Sequence, residues 1–250
     1  MSEKKQNILI TGSSGSFGSF ICREFLSEGH WVTGIDLNDQ QSSPIESNQL
    51  DLWRFITCDL ANSGQVQAVL DEAHSIRGAF NLVVNNVGLI YNAPLLSFQK
   101  GKLQIHDFDA WNKVLSVTLS AGFYVTALCA QKMVATKSPG VIVNISSICA
   151  TGNAGQAAYS AAKAGVNAMT AALAKELGPL GIRIAAISPG FFDTPSTHAN
   201  LDEDKIAHIR KSVPLRKLGQ PKHIMSAIRF INENDYFHGK VLELDGGLTI

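Results

Sequence analysis

Short, almost continuously apolar runs recur along the whole chain, separated by longer stretches with helical spacing. The runs are Asn7-Ile8-Leu9-Ile10-Thr11, Trp31-Val32-Thr33-Gly34-Ile35, Phe55-Ile56-Thr57-Cys58, Leu82-Val83-Val84-Asn85, Val141-Ile142-Val143-Asn144-Ile145, Arg183-Ile184-Ala185-Ala186-Ile187 and Val241-Leu242-Glu243-Leu244. Strands of a parallel sheet are covered on both faces and read this way. Between the first two runs, Phe17, Phe20, Ile21 and Phe25 recur at helical spacing, with Gly29 as a stop. Residues 109–136 and 157–178 read as long helices, the second rich in Ala (Ala161, Ala162, Ala164, Ala168, Ala171, Ala172, Ala174). The alternation predicts an α/β chain: a doubly wound parallel sheet of about seven strands with helices on both faces. With no internal repeat, low-complexity tract or boundary, residues 1–250 are expected to form a single domain.

Three segments stand outside this alternation. Residues 40–48, Ser-rich with Pro44, are expected to be an exposed loop. Residues 94–106 look like extra residues between the fourth strand and the following helix. Residues 192–213 include a short amphipathic helix at 204–211. Their place after a strand end predicts a lid over substrate, because ligands of open α/β sheets bind at the carboxyl ends of the strands.

Composition narrows the class. A chain of 250 residues, 45% of them hydrophobic, buries a substantial core. Its 21 basic and 21 acidic residues balance, and no basic block exceeds Lys4-Lys5, so neither nucleic acid nor an anionic membrane is an expected partner. No apolar run is expected to approach the roughly 20 residues that span a bilayer. With the polar start Ser2-Glu3-Lys4-Lys5-Gln6 so close before the first strand, no secretory signal is expected. Cys22, Cys58, Cys129 and Cys149 lack paired spacing and read as free thiols of a cytoplasmic protein. The seven His residues are scattered without ligand spacing, so no metal site is expected; His198, on the proposed lid, could meet substrate.

Two constellations carry chemistry. The first strand runs into Gly12-Ser13-Ser14-Gly15-Ser16-Phe17-Gly18 and then a helix. Free N–H groups at such a helix start form an anion site suited to a pyrophosphate. Asp36 follows the second strand, where a carboxylate accepts hydrogen bonds from a ribose diol and repels a 2′-phosphate. No Arg or Lys lies in Leu37-Asn38-Asp39 or in the glycine turn, so NAD(H) is expected over NADP(H). The second constellation is Tyr159-Ser160-Ala161-Ala162-Lys163. Residues four apart share a helix face, so the Lys ammonium is expected beside the Tyr hydroxyl, lowering its pKa toward neutrality for proton exchange with an alcohol or carbonyl oxygen.

In this order, the motifs resemble the short-chain dehydrogenase/reductase family over nearly the whole chain, Ile8 to Leu248, and imply its Rossmann-type fold. Thr11-Gly12 through Gly18 approximates the family's glycine pattern. Cys58-Asp59-Leu60 resembles its adenine-contacting site, and Asn85-Asn86-Val87-Gly88 its Asn-Asn-Ala-Gly. Pro189-Gly190-Phe191-Phe192-Asp193-Thr194 is similar to the turn that cradles the nicotinamide carboxamide, and Asp245-Gly246-Gly247 to the closing motif. The resemblance implies a hydride-transferring oxidoreductase. Tyr159 would be its acid/base, and Lys163 would lower the Tyr pKa and hold the nicotinamide ribose. A Ser would orient the substrate. Counting back from Tyr159 selects Ser146, whereas aligning the strand selects Ser147, which is favoured because loops absorb deletions more readily than buried strands. The implied dinucleotide contacts are Gly12, Ser14, Gly15, Ser16, Phe17, Gly18, Asp36, Leu37, Asp59, Leu60, Asn85, Val87, Gly88, Tyr159, Lys163, Pro189, Gly190, Phe191, Phe192 and Thr194.

Two residues depart from the pattern. Ser16 replaces a glycine of the turn, with Gly15 expected to supply part of the lost freedom. Thr118 replaces an Asn that holds a water, and mid-helix its hydroxyl is expected to bond its own backbone. Gln99-Lys100-Gly101-Lys102, Gly155-Gln156-Ala157-Ala158-Tyr159-Ser160-Ala161 and Pro189 to Pro195 resemble type 2 3-hydroxyacyl-CoA dehydrogenases, with 3-oxoacyl-carrier-protein reductases nearly as similar around Tyr159. A 3-hydroxyacyl substrate is therefore expected. A weakly catalytic dinucleotide sensor or scaffold, or an oxidoreductase of another secondary alcohol (a steroid, sugar or secondary metabolite), is the alternative. The family's plan also implies a homotetramer, or a homodimer, through the two long helices. Ala164, Ala168, Ala171, Ala172, Phe123, Leu128 and Met133 are expected on that face.

Overall fold

The computed structural model describes residues 5–38, 47–99 and 101–249. Most of the loop expected at 40–48, and Lys100, lie outside the described residues. Strands β1 (Asn7–Thr11), β2 (Trp31–Asp36), β3 (Trp53–Thr57), β4 (Leu82–Asn85), β7 (Gly140–Ile145), β8 (Ile182–Pro189) and β9 (Val241–Leu244) form a seven-stranded sheet. Its order is β3-β2-β1-β4-β7-β8-β9, and every pairing is parallel. The seven apolar runs are these seven strands; the third begins two residues early, at Trp53, and stops before Cys58.

Alternate side chains of each strand feed opposite faces. Ile8 and Ile10 pack with helices α1 (Ser16–Ser27) and α8 (Pro221–Glu233) on one side. Leu9, Val83, Ile142 and Ile184 pack on the other, against α2 (Ser63–Arg77), α4 (Ala121–Ala135) and α5 (Ala157–Leu177). All of these strand residues are fully buried, which is why a near-continuous apolar run rather than an alternating one marked each strand. The pattern did not single out α2 or α8.

The extra residues at 94–106 form an antiparallel hairpin, β5 (Leu96–Gln99) with β6 (Lys102–Ile105), outside the main sheet. The helix expected at 109–136 is α3 (Phe108–Leu115) followed by α4, joined by one π-helical turn at Ser116–Ser120. The run Phe108–Ala135 is, by length and composition, apolar enough to cross a bilayer, with mean hydropathy 1.5 in its most apolar stretch. This corrects the expectation that no such run exists. Here Val125, Cys129 and Met133 of that helix pack into the core beside the sheet. Ala164, Ala168, Ala171 and Ala172 are exposed along α5, and Phe123 on α4 is 47% exposed. Met133 was expected on that face but is buried in its own core against Gly140. Between β8 and α8 lie α6 (Pro195–Asn200) and α7 (Glu203–Ser212), the latter one residue longer at each end than the pattern suggested.

Candidate active site

Because every strand of the main sheet runs the same way, the segments that follow the strands (the glycine turn, Asp36, Asn86 to Gly88, Ser146-Ser147 and Gly190) collect at one edge. The glycine turn leaves β1 beside β4, where the chain reverses its direction of build-up. Gly12 takes φ +65° and donates its N–H to the Ile35 carbonyl at 2.8 Å. A Cβ on Gly18 would lie 2.0 Å from the Gly12 carbonyl oxygen, so only glycine lets α1 start this close to the turn. Gly15 takes φ −74°, open to any residue, and so does not supply the freedom expected of it. Ser16 is simply the first residue of α1.

The Asp36 carboxylate accepts from the backbone N–H of Ser14 at 2.9 Å and of Leu37 at 2.7 Å. Among the described residues no Lys or Arg pairs with it. Leu37 beside it is 57% exposed. Asp59, at the end of β3, is exposed and accepts from Ala61 N–H, whereas Leu60 points into the core. Thr11 Oγ1 accepts from the N–H of Asn86 at 3.0 Å and of Val87 at 3.4 Å, fixing the chain after β4 against the glycine turn. Gly88 is exposed, and a Cβ there would meet the Lys163 ammonium at 3.4 Å.

Tyr159 and Lys163 lie one turn apart in α5, the ammonium 5.7 Å from the ring centroid. Ser147 follows β7, its hydroxyl close enough to the Tyr159 phenol to draw the phenol's pKa down; that hydroxyl accepts from Cys149 N–H at 3.1 Å. Ser146 turns the other way, its hydroxyl donating to the Lys163 carbonyl at 3.3 Å. The two serines thus separate by strand alternation, and it is Ser147 that meets Tyr159. Burial pushes the Tyr159 phenol up to about 12, although the Ser147 hydrogen bond pulls it back in part and the nearby Cys149 adds to the rise. This overturns the expected lowering. Lys163 is fully enclosed, donates to the Ile145 carbonyl at 2.5 Å, and is itself brought down to about 8 by burial. Desolvation outweighs mutual tuning here.

Thr118 sits in the π turn, 3% exposed, and its Oγ1 accepts from Leu89 N–H at 3.0 Å. It does not bond its own helix as expected; the π geometry turns the hydroxyl toward the chain after β4, and such turns recur at functional sites. At the end of β8, Pro189-Gly190 abuts the closing motif: a Cβ on Gly190 would lie 2.8 Å from Asp245 Cα. Phe191 is partly exposed, and Phe192 is buried edge-on to Phe17 of α1 at 5.2 Å. Thr194 is buried and caps α6, its hydroxyl 3.0 Å from that of Thr197.

The family model described as short chain dehydrogenase matches residues 6–205. The chain belongs to this family. As a short-chain dehydrogenase it is an oxidoreductase, and its fold is the family's Rossmann-type sheet. It is 34% identical to an acetoacetyl-CoA reductase of Acinetobacter, over 99% of each chain. It is 32% identical to a type-2 3-hydroxyacyl-CoA dehydrogenase of Drosophila melanogaster, over 97% of this chain and 96% of that one. Among solved structures, the ligand-free aldohexose dehydrogenase of Thermoplasma acidophilum superposes with a TM-score of 0.82 at 27% identity, covering 98% and 94% of the two chains. The family's cofactor is a nicotinamide dinucleotide, and the glycine turn fits one. No side chain caps the start of α1 and no acidic residue lies in its first turn, leaving its N–H groups and positive end to an anion.

Some of the site escaped the sequence reading. Asn144 stands in the middle of the fully buried β7 and bonds Asn85 and Thr170; a polar residue inside an apolar run was the available signal. His106 packs between Tyr91 and Trp111, and both of those pack against the cluster around Tyr159. Among the described residues no group of three His, Cys, Asp or Glu is placed to hold a metal. His198 pairs with Asp193 at 2.7 Å and with Glu203, and the bond to Asp193 raises its pKa.

Proposed function

We propose that the protein interconverts a 3-oxoacyl and a 3-hydroxyacyl thioester using NAD(H). The observation that carries the chemistry is the pairing of the Ser147 and Tyr159 hydroxyls beside Lys163 at the carboxyl edge of the sheet. When bound, the dinucleotide supplies the hydride that reaches the carbonyl carbon. Ser147 holds the substrate oxygen, and Tyr159 delivers its phenolic proton to that oxygen as the carbonyl becomes an alcohol. A phenol held near 12 is protonated at neutral pH, which suits the reducing direction. Lys163, charged below about 8, stabilises the tyrosinate left behind.

The choice of NAD(H) rests on Asp36, whose carboxylate closes the adenosine end of the glycine turn to a 2′-phosphate. The acyl substrate rests on the names of the acetoacetyl-CoA and 3-hydroxyacyl-CoA relatives. The structural likeness to an aldohexose dehydrogenase favours a sugar alcohol as the second reading. Residues 192–213 are proposed as the substrate lid, tied down at one end by Asp193 N–H to the Gly219 carbonyl and at the other by Leu215 N–H to the Gly246 carbonyl. Four free, buried thiols suit a reducing, cytoplasmic setting.

Purified protein assayed with acetoacetyl-CoA and NADH, and separately with an aldohexose and NAD, tests the substrate. Turnover of the sugar alone would replace the acyl reading. Titration with NADH and NADPH tests the cofactor: NADH is expected to bind more tightly, and Asp36→Ala to narrow the gap. Tighter NADPH binding by the wild type would reverse the assignment.

A further inference from the structure

Behind the catalytic edge, a chain of side-chain hydrogen bonds crosses three elements with a fixed direction. Thr170 donates its proton to the Val166 carbonyl at 2.8 Å and therefore accepts from Asn144 Nδ2 at 2.9 Å. That fixes the Asn144 amide, whose Oδ1 accepts from Asn85 Nδ2 at 2.9 Å; the same Nδ2 also reaches Thr126 Oγ1 at 2.9 Å. The orientation of both amides follows from the network rather than from arbitrary assignment. It leaves Asn85 Oδ1 as a buried acceptor without a donor, in a residue only 7% exposed. Burying such an oxygen unpaired costs about 1–3 kcal/mol.

Thr118 Oγ1 accepts from Leu89 N–H and keeps its own proton to give. Asn85 and Thr118 both line one cavity of about 10 Å³, together with Thr11, Asn144 and Ile145. That volume accommodates the centre of one water molecule, which needs about 10–15 Å³ and at least two polar partners.

We infer that this cavity is a binding site for a single structural water, which accepts from the Thr118 hydroxyl and donates to Asn85 Oδ1. The water joins two otherwise separate sets of bonds into one directed line: Leu89 N–H to Thr118, Thr118 to water, water to Asn85, and on through Asn144 and Thr170 to the Val166 carbonyl. It thereby ties the chain beside Gly88 and Lys163 to β4, β7 and α5.

A crystal structure of the wild type at about 1.5 Å resolution tests this directly. A full-occupancy water within hydrogen-bond distance of both Thr118 Oγ1 and Asn85 Oδ1 is expected. A dry cavity, or a water bonded to only one of the two atoms, overturns the inference. Thr118→Ser should keep the water, Thr118→Val should lose it, and Thr118→Asn should displace it with the carboxamide. Retention of the water at full occupancy in Thr118→Val would also overturn it, because the donor that holds it would be gone.

Discussion

Replacing Lys163 by Met should stabilise the protein at pH 7 while abolishing turnover, and the stabilisation should reverse in alkali. The ammonium is enclosed and its pKa falls from 10.5 to about 8, chiefly through desolvation. That fall corresponds to a preference of about 3 kcal/mol for the neutral amine in the folded state. A lysine whose folded pKa is depressed burdens the fold fully below about 8, where both states are charged. The burden lifts as pH rises toward 10.5, because the unfolded chain then holds the extra proton. Met fills similar volume without charge but deprives the Ile145 carbonyl of its donor, a loss of about 1 kcal/mol. The variant should therefore be more stable by about 2 kcal/mol at pH 7 and less stable by about 1 kcal/mol above pH 10.5, crossing between pH 8 and 10.5. Urea unfolding of both proteins across that range measures the difference, in which the titration of Tyr159 and other shared groups cancels. A Met variant less stable than wild type at pH 7, or a difference independent of pH, would refute the reasoning.

Tyr159→Phe should lower turnover by about 10²–10⁴ with the NADH dissociation constant nearly unchanged, because only the transferable proton is removed; retention of most of the rate would reassign the acid. Ser147→Ala should cost far more activity than Ser146→Ala, whose hydroxyl serves the α5 backbone; equal losses in steady-state assays would contradict the geometry. The protein should be a homotetramer or homodimer through the exposed Ala stripe of α5 and Phe123 of α4, and a scattering mass near the 26.9 kDa of one chain at micromolar concentration would exclude it.

Much of this was legible in the chain because a parallel sheet buried on both faces leaves an unmistakable trace. Val141 to Ile145 is apolar on consecutive residues except at Asn144, and that exception is where the polar network runs. The glycine turn and the Tyr159–Lys163 spacing were equally readable, since backbone sterics and helix geometry are local. What was not legible depends on long-range packing. Spacing places Lys163 beside Tyr159 but says nothing of enclosure, and enclosure reversed the sign of the phenol's shift. The π turn at Ser116–Ser120 is a slip in hydrogen-bond pairing that leaves no mark in composition, yet it decides where Thr118 points. The β5–β6 hairpin went unread because Leu96, Phe98, Leu103 and Ile105 face solvent, each more than half exposed, and so mimic the pattern of a buried segment.

The contact between Gly190 and Asp245, with Leu248 packed against the cluster around Tyr159, has a consequence for how the protein is made. The glycine turn leaves the ribosome long before the wall beside Tyr159, which residues 245 and 248 help to build. A nascent chain therefore carries β1, α1 and β2 well before that wall exists. The packing around Tyr159 is incomplete until residue 248 is free of the exit tunnel. A product terminated before residue 245 would lack that wall and so should be inert rather than a partial enzyme.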